Sequence, residues 1–216
     1  MQAIVRGSTT IYTDKPMRAR ADFDFYPSPD AHVIAALQQL ADLHPKRILD
    51  PGAGAGVWGY WCRETWPNAE IVGVEVRTDA QPHPKYDRWI TGSFLDPHVR
   101  SQLGNFDLVI GNPPFIVAEA FLRASWELMN ADAHMLQLLR IGFLAGIKRH
   151  ADLYQVMHPN TVYVSAKRPS FTGDSRTDAM EYIFMHWHKA VRPDHFIGKI
   201  LNPQHWQLQY CTEPYR

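Results

Sequence analysis

The chain has 216 residues, 45% hydrophobic and 20% charged, an ordinary composition for one globular domain with a sizeable core. No stretch approaches the ~18 uninterrupted apolar residues of a membrane span, and only two cysteines, Cys62 and Cys211, argue against a disulfide scaffold and fit a reducing cytoplasm. The 22 basic and 22 acidic side chains give a formal net charge of zero, which counts against a stand-alone, tight nucleic-acid binder, because phosphate affinity rests on clustered Lys and Arg.

Residues 1–24 carry no sustained period and read as an N-terminal arm holding Arg18 and Arg20, ahead of a domain over residues 25–190. Ser28 offers a helix N-cap, Pro29 fits the first helical position, and Asp30 suits the positive end of the helix dipole. Val33, Leu37, Leu40 and His44 follow at helical spacing until Pro45. Residues 47–49 read as a short buried strand, followed by a glycine-rich turn and a helix over 57–66. Strands are expected at 70–74, 88–90 and 106–110, a helix at 117–129, and a fifth strand at 133–139. Two more strands, 161–165 and 181–185, flank a polar, basic loop, and residues 191–216 read as an irregular tail packed on the domain. This alternation predicts an α/β fold: a doubly wound, Rossmann-like sheet, mainly parallel, with a C-terminal antiparallel hairpin.

The turn Asp50-Pro51-Gly52-Ala53-Gly54-Ala55-Gly56 lies between a strand and a helix. Glycines there let the backbone turn tightly and let a ligand approach closely. The spacing is Gly-x-Gly-x-Gly, not the Gly-x-Gly-x-x-Gly of dinucleotide binders. Glu75 ends the next strand, where a carboxylate can accept hydrogen bonds from both hydroxyls of an unphosphorylated ribose.

Directly after the fourth strand stands Asn112-Pro113-Pro114-Phe115. An amino group conjugated to a planar ring is a poor nucleophile, because its lone pair is delocalised. Two acceptors that take its N–H groups favour a pyramidal nitrogen with a localised pair. The Asn112 amide oxygen and the Pro113 carbonyl suit that task, and the two prolines restrict the backbone that aims them. Phe115 offers a face for a stacked base, an interaction of about 1–3 kcal/mol. No strong general base is required. Ligands of open α/β sheets bind beyond the carboxyl ends of the strands, where this motif falls.

These residues resemble the class I methyltransferases that modify exocyclic or amide nitrogens, in which Asn-Pro-Pro-Phe is the amino-methylating motif. The resemblance covers roughly residues 22–190. It implies S-adenosylmethionine as cofactor. Within Phe25-Tyr26-Pro27-Ser28-Pro29, Tyr26, Pro27 and Ser28 would close over its methionine end. Asp50, Pro51, Gly52, Ala53 and Gly54 would form its loop, Glu75 would bind its ribose, and Asn112 would touch both cofactor and acceptor. The family's adenine-contacting Asp is replaced by Ser93, with Phe94 and Asp96 as neighbouring substitutes.

The motif order resembles N6-adenine DNA methyltransferases, and small phage and prophage enzymes more closely, through Arg168-Pro169-Ser170-Phe171-Thr172-Gly173 and Thr177-Asp178-Ala179. Arg168, Ser170 and Phe171 would then touch the flipped base or its backbone. The resemblance implies DNA as partner, with RNA adenine or protein glutamine as alternative acceptors. Without a large recognition domain in this sequence, target choice would fall to loops, a homodimer or a partner subunit. His186-Trp187-His188 could place two imidazoles on one strand face, but no further ligand stands at convincing spacing, so no metal is expected. Cys62, beside Trp61 in a helix, reads as core.

Overall fold

The computed structural model describes residues 26–171 and 180–201. The arm with Arg18 and Arg20, Phe25, the stretch from Thr172 to Ala179, and Cys211 lie outside the described residues. Eight strands form one sheet: β1 (Arg47–Asp50), β2 (Glu70–Glu75), β3 (Arg88–Thr91), β4 (Phe106–Gly111), β5 (Met129–Arg140), β6 (Thr161–Ser165), β7 (Tyr182–His188) and β8 (Ile197–Leu201). Their order is β3-β2-β1-β4-β5-β7-β6-β8. Strands β3 to β5 of this order run parallel; β7 is antiparallel to both β5 and β6, and β8 is parallel to β6. The expected α/β sheet with an antiparallel C-terminal pair is therefore present.

Burial on both faces explains the apolar runs of the central strands. Ile48, Leu108 and Ile110 face a cluster with Val33 and Leu37 of α1 (Asp30–Leu37) and with Trp58 and Trp61 of α2 (Val57–Thr65). Their sequence neighbours Leu49 and Val109 face the other side, with Val99 of α3 (Pro97–Arg100) and Phe121 and Leu122 of α4 (Ala118–Glu127). After β1 the chain builds β2 and β3 on one side, then crosses to place β4 on the other. The reversal opens a crevice beyond the carboxyl ends of β1, β2 and β4.

Several local expectations are revised. Ser28 is not the helix cap: Pro29 takes that place in extended geometry, its carbonyl accepts from the His32 and Val33 amides, and the Ser28 hydroxyl accepts from Trp58 Nε1 at 3.1 Å. The helix gives way to a 3-10 turn at Gln38–Leu40, short of His44. Strand β5 starts four residues early: buried Met129 pairs with Phe106 of β4, and after a register shift pairing resumes at His134, while residues 130–132 between are not buried and carry no apolar pattern. The tail contains β8, missed because only Leu201 of that strand is buried. Helices α5 (Ile147–Ala151) and α6 (Leu153–Val156), and a 3-10 turn at Ile141–Leu144, are too short to show a period. Among the described residues no helix is long and apolar enough to cross a membrane.

Candidate active site

The crevice holds a cavity of about 550 Å³, within the usual range for small-molecule sites. Tyr26, Pro27 and Ser28 line it from the lead-in to α1; Pro51, Gly52, Ala53 and Gly54 from the glycine turn; Glu75 from the end of β2; Ser93 and Phe94 from the loop after β3; and Asn112 and Pro114 from the end of β4. Five segments far apart in sequence thus meet around one cavity, because the parallel strands all end at the same edge.

The glycine turn is shaped by its backbone. Gly54 and Gly56 adopt φ of 56° and 89°, in the left-handed region. A Cβ on Gly56 would fall 2.6 Å from Cβ of His83. Glu75 is almost fully buried and spans the turn: Oε2 accepts from the Gly54 amide at 2.7 Å, and Oε1 accepts from the backbone amide and Nε of Arg77 at 3.0 and 2.9 Å. The carboxylate is thereby fixed at the cavity wall.

Asp50 sits beneath the cavity and does not line it. Its carboxyl group is fully buried, and burial pushes its pKa up to about 7, against the opposing hydrogen bond from Tyr86. The Tyr86 ring fills the space left by Gly59 and Gly73, where a Cβ would fall 2.2 and 2.8 Å from ring atoms. Sequence reading missed Tyr86, since it lies in a turn between strands with no periodic signal.

Phe94 and Asp96 also make contacts within the fold. Phe94 is 1% exposed, packs against Phe121 at a centroid distance of 5.2 Å and forms part of the cavity wall. Asp96 caps α3 by accepting from the His98 amide at 2.8 Å.

At the end of β4, Asn112 Nδ2 donates to the Tyr26 carbonyl at 2.8 Å. Its Oδ1 is buried and has no hydrogen-bond partner among the described residues. Pro113 is buried behind it. Phe115 joins an aromatic group with Tyr26, Phe171 and Tyr182, at centroid distances of 6.3, 6.5 and 5.4 Å. Phe171 therefore meets the Asn-Pro-Pro-Phe segment. Ser170 beside it keeps a buried Oγ without a partner, while Arg168 is exposed. The His32 ring Nε2, as the donor to a carbonyl, holds the Lys167 oxygen at 2.8 Å and ties this loop to α1. Sequence reading missed Tyr182 and Arg140; the Arg140 guanidinium carbon lies 4.7 Å from the Phe115 centroid.

The histidines of β7 share a face as expected, and stack on His134 of β5: His186 at 5.2 Å and His188 at 4.1 Å between centroids. Burial lowers the pKa of His134 to about 4 and of His186 to about 3. Among the described residues no group of three or more ligating side chains is placed to hold a metal ion. Cys62 is fully buried in the core.

A model of the methyltransferase small domain matches residues 30–150, over half of the chain and from the first residue of α1 to α5. The chain belongs to that family. Among similar proteins, the tRNA1(Val) (adenine(37)-N6)-methyltransferase of Porphyromonas gingivalis is 34% identical over 83 residues, covering 33% of this chain and 32% of its own length. The type II methyltransferase M.CvrRI of Paramecium bursaria Chlorella virus XZ-6E is 28% identical over 185 residues, covering 84% of this chain and 47% of its own. The chain thus spans about a third to a half of the curated relatives it matches. The M protein of the type I restriction enzyme EcoKI superposes with a TM-score of 0.61 at 12% identity, over 82% of this chain and 48% of that one. This family member therefore has the fold of methyltransferases.

Proposed function

We propose that this methyltransferase transfers the methyl group of S-adenosylmethionine to an exocyclic amino nitrogen, N6 of adenine in DNA. The observation that carries this reading is Asn112: its amide nitrogen is committed to Tyr26, and its oxygen is a buried acceptor without a partner at the cavity wall. A buried acceptor left unpaired costs about 1–3 kcal/mol, so a group that donates to it is selected. The substrate amino group is such a donor.

The residues fit the cofactor. Glu75 is a fixed carboxylate for a ribose diol, and the glycine turn admits close backbone approach. Tyr26 to Ser28 cover the other side. When bound, S-adenosylmethionine supplies an electrophilic methyl group. Asn112 Oδ1 and the Pro113 carbonyl would accept the two N–H groups of the acceptor amine, orient its lone pair, and hold it while the N–C bond forms and the donor's S–CH3 bond breaks, which leaves S-adenosylhomocysteine. The surplus proton leaves afterwards. Phe115 stacks the base. A base in a duplex must first be flipped out, at a cost of a few kcal/mol.

The viral type II methyltransferase matches most of this chain, which supports the DNA reading. The tRNA adenine methyltransferase keeps RNA adenine as the second reading. The test is transfer from labelled S-adenosylmethionine to unmethylated DNA and to RNA, followed by nucleoside digestion and mass spectrometry, with Asn112→Ala in parallel. N6-methyladenine in DNA from the wild type, reduced about 10²–10³-fold by the variant with cofactor binding largely kept, is the expected result. Near-normal turnover by the variant would overturn the role of Asn112. Product in RNA alone would favour the second reading.

A further inference from the structure

Three residues on the acceptor side of the site keep buried polar atoms without partners: Asn112 Oδ1, Ser170 Oγ and Arg140 Nε. Buried polar groups are nearly always paired, so each of the three lacks an expected partner. The first belongs to the amine. Arg140 is different in kind, because it is a permanent cation. It ends β5, opposite Tyr182 at the start of β7, and so stands at the same sheet edge as the crevice. Its guanidinium lies over the Phe115 ring at 4.7 Å. Its side chain makes no hydrogen bond or ion pair among the described residues, and its Nε is buried without a partner in a residue that is itself only half-buried. By contrast, Arg47, Arg63, Arg77 and Arg123 are each paired with a carboxylate.

A half-buried guanidinium with no anion, pinned by stacking so that its fork stays open, is organised for a bidentate oxyanion. Lys167, exposed just beyond the end of β6, adds a second cation at the same sheet edge. The chain has zero net charge, so this local cluster, and not the overall balance, would draw a polyanion. Resting on the nucleic-acid reading above, we propose that Arg140 grips a backbone phosphate of the acceptor strand next to the base that stacks on Phe115. Arg140 is then a positioning residue: the phosphate contact sets how far the base enters, and the ring couples that contact to the transfer motif. A protein glutamine acceptor has no such phosphate.

The test is binding of short fluorescein-labelled DNA of mixed sequence, single-stranded and duplex, by anisotropy with S-adenosylhomocysteine present, from ~50 to ~200 mM salt. Arg140→Gln and Arg140→Lys are compared with the wild type. Loss of one phosphate contact makes the plot of log affinity against log salt shallower by about 0.9 on duplex and about 0.7 on single-stranded DNA. Arg140→Gln is expected to show this change and to bind about tenfold more weakly at low salt, with affinity for S-adenosylhomocysteine unchanged. Arg140→Lys keeps the charge and is expected to keep the slope. An unchanged slope in Arg140→Gln would overturn the proposal, as would an equal loss in both variants. Should Arg140→Gln fail to fold, a wild-type slope in Arg140→Lys supports the contact and a shallower one overturns it. The readout needs no turnover: a shifted slope without methylation would count against the proposed activity alone. Failure of the wild type to bind either single-stranded or duplex DNA would overturn both.

Discussion

The Tyr86 hydroxyl donates a 2.6 Å hydrogen bond to Asp50 Oδ2 in the core, beneath the glycine turn. Burial nevertheless dominates this carboxyl group and holds its pKa at about 7. The unfolded carboxyl titrates near ~4. Between these values the folded state holds more protons than the unfolded one. Stability from Asp50 is therefore full below ~4 and is lost as pH rises towards ~7. Asp50→Asn removes this titration. The melting temperature of the variant minus that of the wild type should rise from pH ~4 to ~7 and then level. A flat difference would overturn the assignment. Neutral His134 and His186 act the opposite way: their pKa values lie below 6.5, so they destabilise the fold as pH falls. Both proteins share them, so the difference isolates Asp50.

Gly59 is a helical glycine that alanine should not improve. In an open helix the exchange stabilises by about 1 kcal/mol. Here the added Cβ would fall 2.2 Å from Tyr86 Cζ, in a ring held by Asp50 and by packing against Trp89. Overpacking of this kind costs about 1–3 kcal/mol. Gly59→Ala is expected to lower the melting temperature; a rise would show that the Tyr86 ring moves freely.

Glu75→Ala tests the ribose contact. It removes a carboxylate that also organises the Gly54 and Arg77 amides. Hydrogen bonds to charged groups contribute about 1.5–3 kcal/mol, so Kd for S-adenosylmethionine should rise about 10–100-fold by calorimetry. An unchanged Kd would remove Glu75 from the cofactor site.

Phe115→Ala tests stacking. The loss of one base–aromatic stack, about 1–3 kcal/mol, predicts a fall in kcat/KM of about 10–100-fold. Phe115→Tyr preserves the ring and should preserve most of the rate. Equal losses in both variants would show that Phe115 only packs against Tyr26 and Tyr182.

Local sequence determined the parts whose signals are contiguous. The strand, glycine turn and helix from Arg47 to Thr65, Glu75 at the end of β2, and the place of the Asn-Pro-Pro-Phe segment directly after β4 were all legible. Each depends on backbone conformation and on apolar runs a few residues long, which the chain encodes where they occur. Tertiary structure alone decided which of these groups meet. Tyr26 fixes Asn112 across 86 positions of sequence, because β4 crosses to lie beside β1 and brings its end under the lead-in to α1. Tyr86 reaches Asp50 because two glycines on different elements leave room for its ring. Arg140, Phe171 and Tyr182 gather on Phe115 because β7 inserts between β5 and β6. Such pairings follow from strand order and side-chain volume, which no local period records. The edge strand β8 escaped for a related reason: with one buried residue it has no alternation to read, and its pairing with β6 makes it a strand.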